Sequence, residues 1–163
     1  MNFIVLLERS HILEFLSSVD SELFSSKNVW LVKTEDTRLG NLYFPIDSKV
    51  FTFSEDDGGI DIEEVYNVYI GMERVVKQLG SWRYEEQLIL DPLPLFERRK
   101  DFFGYKFQAE TVNEPPYAVA NMENLMSGKD THIGGIWGEI WHGTLEKTLN
   151  FTSMILPSPD ANF

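Results

Sequence analysis

The sequence predicts an α/β protein built from two structural units, and three observations point there. Residues 3–32 run apolar segment, amphipathic segment, apolar segment. Residues 105–156 repeat that order with a long loop in place of the first connection. Between them, near residues 90–103, a proline-bearing seam separates an acidic stretch from a nearly balanced one: residues 1–97 carry 18 acids and 8 bases, residues 98–163 carry 8 and 6. At 163 residues with 43% hydrophobic, 25% charged and 13% aromatic side chains, the chain can bury a core and is unlike a disordered segment.

Within the first unit, Phe3 to Leu7 suits a short buried strand. Ser10 is placed to cap a following helix. Ile12, Leu13, Phe15, Leu16, Val19, Leu23 and Phe24 recur at three- and four-residue intervals and form one apolar stripe. Asn28 to Val32 is a second strand, making a βαβ unit with parallel pairing, and Lys49 to Phe53 is a third. Glu55-Asp56-Asp57-Gly58-Gly59 reads as a turn. Ile62 to Ile70 and Arg74 to Trp82 read as a hairpin around Gly71-Met72-Glu73.

The domain boundaries follow: an α/β unit over 1–89, a linker over 90–103 and a second unit over 104–163. In Leu90-Asp91-Pro92-Leu93-Pro94-Leu95 two prolines remove backbone donors and favour an extended connector. Tyr105 to Val112 is a strand that Pro115-Pro116 ends, since neither proline can donate to a ladder. Ile136, Trp137, Ile140, Trp141, Leu145 and Leu149 give a helical stripe. Gly138 and Gly143 each weaken that helix by about 1 kcal/mol relative to Ala, so tertiary contacts must hold it. Phe151 to Leu156 is the closing strand.

Several function classes find no foothold. A net charge of −12 disfavours nucleic-acid partners. With no cysteine there is neither a disulfide framework nor Cys-ligated zinc. His11, His132 and His142 are dispersed; Glu139 and His142 stand at i, i+3, a di-iron spacing present once where such sites need it twice. The acidic run from Glu55 to Glu64 lacks calcium-loop spacing and reads as a solvated turn. No phosphate loop and no nucleophile elbow occurs, so neither an enzyme nor a cofactor is expected.

No apolar run reaches the roughly 20 residues of a membrane helix. Met1 to Leu7 is stopped by Glu8 and Arg9, without a basic n-region or a small-residue cleavage site. The chain is therefore expected either to be intracellular or to have its beginning upstream. Asn150-Phe151-Thr152 is the one N-glycosylation sequon, a pointer toward the extracellular side with Asn150 as acceptor.

The informative stretch is Thr111-Val112-Asn113-Glu114-Pro115-Pro116-Tyr117, a carboxylate and a phenol at the carboxyl end of a strand. Open α/β sheets bind ligands at that edge; turn chemistry alone also accounts for the prolines. Gly104 to Tyr117 resembles the opening strand of the ligand-binding domain of ionotropic glutamate receptors, most closely the divergent chemosensory receptors of arthropods. Gly134-Gly135-Ile136-Trp137-Gly138-Glu139-Ile140-Trp141, continued by Leu145 to Thr152, resembles the family's G-x-x-x-D/E-L helix and the strand after it. Arg98-Arg99-Lys100-Asp101 is similar to the junction from the amino-terminal region, and Pro159 to Phe163 to the segment that carries an aromatic residue.

The resemblance implies a partial periplasmic-binding-protein-like lobe preceded by part of an α/β amino-terminal lobe. It implies that Glu114, Tyr117 and Phe163 touch a small ligand, an amino acid, amine or odorant-like acid other than glutamate. A carboxylate beside aromatic rings suits an ammonium group. The expected setting is the extracellular side of the plasma membrane, in a channel subunit assembled with other subunits. The family's carboxylate-gripping arginine and pore helices would follow beyond Phe163. A soluble small-molecule-binding module and a ligand-free α/β interaction domain, with Glu114 serving local backbone donors, remain as alternatives.

Overall fold

A computed structural model describes residues 2–6, 11–33, 39–128 and 132–158. The fold is mixed α/β with few helices, and the chain divides into two compact units, Met1–Leu95 and Phe96–Phe163.

In the first unit, β1 (Asn2–Leu6), α1 (Ile12–Ser18), β2 (Asn28–Lys33), β3 (Lys49–Asp56), β4 (Gly59–Tyr66), β5 (Val75–Arg83) and the two-residue β6 (Ile89–Leu90) form one sheet in the order β1-β2-β3-β4-β5-β6, with α1 packed on it. β1, β2 and β3 pair in parallel, and the rest antiparallel. The expected βαβ unit is thus present, and so is the antiparallel pairing that follows it. Its core joins Ile12, Leu16 and Phe24 to Trp30, Val32, Val50 and Val65, which alternate along three neighbouring strands and so point to one face. Phe24 stacks against Trp30 and meets Phe44 edge-on, with centroids 4.9 and 5.0 Å away.

Two expectations here need correcting. The stripe from Ile12 to Phe24 is not one helix: α1 ends at Ser18, Val19 is extended, and a 3-10 turn covers Ser21–Phe24. Ser17 and Ser18 donate their hydroxyls to the carbonyls of Leu13 and Phe15, and Asp20 accepts the Glu22 amide at 3.0 Å. Local side-chain bonding of this kind competes with helix continuation. The Ser10 cap lies outside the described residues; His11 occupies the cap position, its side chain bonded to Glu14 at 3.3 Å and not to the helix backbone. The second correction concerns the hairpin. β4 stops at Tyr66, four residues early, because Asn67 turns the chain: its side chain accepts the Phe44 amide at 3.1 Å and donates to the Met72 carbonyl at 3.1 Å.

Residues 90–103 are not extended throughout, for they include the end of β6 and a helical turn, α2 (Leu95–Arg98), followed by the buried Arg99.

The second unit holds β7 (Tyr105–Thr111), α3 (Met122–Met126), a continuous helical stretch and β8 (Phe151–Pro157). β7 and β8 pair in parallel, from Tyr105 opposite Phe151 to Thr111 opposite Pro157. Along β7, Tyr105, Phe107, Ala109 and Thr111 are half-buried while Lys106, Gln108 and Glu110 are exposed, a period-two pattern with one covered face. Phe102, Phe107, Phe151 and Trp141 form the aromatic centre, with Phe107 and Phe151 centroids 5.1 Å apart and Trp141 5.7 Å from Phe151. Edge-to-face packing of this kind adds about 0.5–1.5 kcal/mol per pair beyond burial.

The helical stretch has three parts: α4 (Gly135–Gly138), a π-helical segment (Glu139–Leu145) and α5 (Glu146–Leu149). A π turn carries an extra residue, so it shifts the phase of the apolar stripe. Trp141, Leu145 and Leu149 are half-buried, whereas Ile136, Trp137 and Ile140 are 50%, 56% and 41% exposed. Along the six-residue stripe the first three residues are thus exposed and the last three half-buried. Gly138 is buried against Ile133, with a Cβ there lying 2.2 Å from the Ile133 carbonyl oxygen; the glycine serves close approach.

Candidate functional site

At the carboxyl end of β7 the chain reverses in a closed turn. Glu114 and Ala118 exchange both backbone hydrogen bonds, at 2.8 and 2.9 Å, and the bond between Pro115 and Pro116 is cis. Asn113 Oδ1 accepts the Ala120 amide at 3.1 Å and closes the base of the loop. The prolines thus break the strand as expected. They leave Glu114 and Tyr117 exposed, with Tyr117 51% accessible. Among the described residues no hydrogen bond or ion pair engages the Glu114 carboxylate. The local donor is taken by Asn113 instead.

This turn is fastened to the start of the helix. Val119 and Gly134 pair as an isolated bridge, the Ile136 amide donates to the Pro116 carbonyl at 3.2 Å, and the Trp137 amide donates to Tyr117 at 2.9 Å. Two orphan donors of the helix are thereby satisfied by the turn. Gly135 has φ +76°, and a Cβ on it would stand 2.6 and 2.8 Å from the carbonyl oxygens of Pro116 and Tyr117. Only glycine fits a backbone approach that close at a left-handed φ. The two segments that carry the family resemblance are therefore joined by backbone bonds. Trp137, part of the helix's apolar stripe, is exposed, with its amide bonded to the Tyr117 carbonyl. The sequence carries no signal for it: Trp137 and Trp141 stand four residues apart at helical spacing, yet Trp137 is 56% exposed and Trp141 half-buried.

Behind this edge lies a polar network that the sequence did not reveal. The Trp141 indole donates to Ser153 Oγ at 2.9 Å, Ser153 donates to Glu146 Oε1, and Glu146 Oε2 stands 3.0 Å from His142 Nδ1. That last pair is close but poorly aligned as a hydrogen bond. His142 Nε2 accepts the Ile133 amide at 3.3 Å. Burial pushes the Glu146 carboxyl up, but the Ser153 hydrogen bonds and the close His142 ring outweigh it, so its pKa falls below the ordinary value. The Ser153 hydroxyl hydrogen points at a carboxylate and not at an imidazole, so this is not a nucleophile–base pair. His142 faces Glu146, four residues further along the chain.

The acidic turn of the first unit is laced with cations. Lys33 meets Glu55 at 2.6 Å and Arg83 meets Asp61 at 2.6 Å, and no group of three or more metal-ligating side chains occurs among the described residues. Two open concavities of about 510 and 660 Å³ lie in this unit, one bordered by Asn67 and Arg74, the other by Glu22 and Asp47. Neither includes Glu114 or Tyr117. Arg74, over the Phe44 ring at 5.0 Å, donates to the carbonyls of Gly40 and Leu42 and so organises the rim of the smaller one.

Of the predicted site residues, Glu114 and Tyr117 share one turn, while Phe163 lies outside the described residues. Asn150 ends α5 in a left-handed conformation with φ 51°, and its Nδ2 donates to Asp101 at 2.8 Å; Thr152 of the sequon is exposed. No helix among the described residues is long and apolar enough to cross a membrane. The chain matches no family model, no curated protein and no solved structure.

Proposed function

We propose that residues 104–163 are the opening segment of a periplasmic-binding-protein-like ligand-binding domain, in a glutamate-receptor-like chemosensory channel subunit, on the extracellular side. The observation that carries the reading is the docking of the Glu114–Tyr117 turn onto the start of the helix. It fixes Glu114 and Tyr117, a carboxylate and a phenol, just beyond the carboxyl end of β7 in a parallel strand pair. Ligands of α/β sheets collect at that edge. The ligand-free alternative would have Glu114 satisfy local donors, and Asn113 does that instead.

In this reading Glu114 takes the ammonium group of a small amine by a charge-assisted bond, and Tyr117 contributes its ring face. Ligand binding would bias closure of a two-lobed domain and so gate a pore. A glycan on Asn150 replaces one amide hydrogen and leaves the other for Asp101, which is compatible with an extracellular setting.

The test is calorimetric titration of the chain with phenylethylamine and, as its uncharged-headgroup counterpart, phenylethanol. The amine should bind and the alcohol should not. Glu114→Gln should weaken the amine by about tenfold or more, the worth of one hydrogen bond to a charged group. An unchanged amine affinity in Glu114→Gln, or equal binding of the alcohol, refutes the reading.

A further inference from the structure

The histidine network meets the docked turn at one peptide unit. Ile133 donates its N–H to His142 Nε2 at 3.3 Å, and its carbonyl lies against the buried Gly138, so the helix grips Ile133 on both sides. The next residue, Gly134, pairs with Val119 through two backbone bonds, of 3.1 and 2.8 Å, and Val119 follows directly on the Glu114–Ala118 closure. A bond to the Ile133 amide requires an unprotonated Nε2, which places the ring's one hydrogen on Nδ1, facing the Glu146 carboxylate.

We propose that His142 is a pH-gated latch: when uncharged its Nε2 holds the Ile133 amide and with it the segment that pins the Glu114–Tyr117 turn, and when protonated it expels that amide and loosens the turn. The chemistry is a change of sign at one atom. A protonated Nε2 is a donor, and two N–H groups then face each other across a hydrogen-bond distance. Histidine is the side chain that makes this change near neutral pH.

The groups facing the ring determine whether the change is available. From its own helix the Glu146 carboxylate faces Nδ1 at 3.0 Å. From the preceding segment the His132 ring lies 4.7 Å away. The strand β8 contributes only the Ser153 hydroxyl, through Glu146. The side chain is 15% exposed, so it reaches solvent without unfolding. This latch does not depend on what ligand the turn holds.

Amide hydrogen exchange, corrected for intrinsic rates, tests it between about pH 8 and pH 5.5, the window that spans imidazole titration. Protection at Ile133 and Gly134 should fall by about tenfold or more as the His142 ring signals titrate, while Leu125 stays unchanged. In His142→Gln the side-chain oxygen can accept the same amide without titrating, so protection should stay within about twofold. His132→Asn should keep the full pH dependence. Imidazole nitrogen shifts supply a reading that needs no variant: at high pH the bare nitrogen must be Nε2. A bare Nδ1, Ile133 protection that ignores His142 titration, or a pH dependence lost in His132→Asn overturns the latch.

Discussion

Gly135 shows how one residue sets the geometry of the proposed site. It combines a left-handed φ with a backbone approach that leaves no room for a Cβ, whereas Gly104, at φ +70°, has nothing within 4 Å of that position. A non-glycine residue in the left-handed region loses about 1–2 kcal/mol from backbone sterics alone. Gly104→Ala should therefore destabilise the protein by about that amount. Gly135→Ala should exceed it, up to about 3 kcal/mol or beyond, because the Pro116 and Tyr117 carbonyls must also move. Denaturant unfolding followed by tryptophan fluorescence measures both, and equal losses would mean that the turn is not held against the helix. The sequence announced a glycine pair before a helix, but not which glycine met the turn, since close approach is a tertiary fact. The end of β7 ahead of Glu114 was legible because prolines fix where a strand must stop. The His142–Glu146–Ser153 chain was not, because its members lie on two elements whose pairing no local pattern encodes.

Elements were read well where one period governed them and poorly where two competed. β1, β2 and β3 have short apolar runs, and the structure pairs them in parallel as the βαβ spacing requires. α1 kept its start and lost its end, since serine hydroxyls and Asp20 offer the backbone an alternative just where the stripe continues. The remaining seven residues are too few for a helix to stand on propensity, so packing must supply its stability. Leu16 is 1% exposed within the core and Leu13, one residue short of a turn away, is 42% exposed. Leu16→Ala should destabilise the protein by about 2–5 kcal/mol, the range for a buried leucine whose cavity does not collapse. Leu13→Ala should shift stability by about 0.5 kcal/mol or less. Comparable losses at both positions would place α1 in a different orientation from the one described. The helix after Gly135 differs in a complementary way: its spacing gives one apolar stripe, but the half before Trp141 is exposed and the half from Trp141 on is half-buried, a difference that depends on what packs along the helix and not on its period.

At the scale of the whole chain, charge is the dominant unbalanced quantity. There are 26 acidic side chains against 14 lysines and arginines, and residues 1–97 hold 18 of the acids. Some of that excess is locally answered, by Lys33 on Glu55, Arg83 on Asp61 and Lys100 on Glu97. Such exposed pairs contribute about 0–1 kcal/mol each and weaken in salt. The unanswered carboxylates repel one another at longer range, and compaction brings them closer, so repulsion opposes folding. Raising ionic strength from about 0.01 M to about 0.15 M shortens the screening length from about 30 Å to about 8 Å. Over that interval the long-range repulsion is suppressed most, while pairs in contact at 2.6 Å lose least. The expected outcome is a higher thermal midpoint at about 0.15 M sodium chloride than at about 0.01 M, measured at pH 7 by far-ultraviolet circular dichroism. A midpoint that falls would mean that the ion pairs on the acidic turn outweigh the excess, and that the surface charge is organised as a network instead of a surplus.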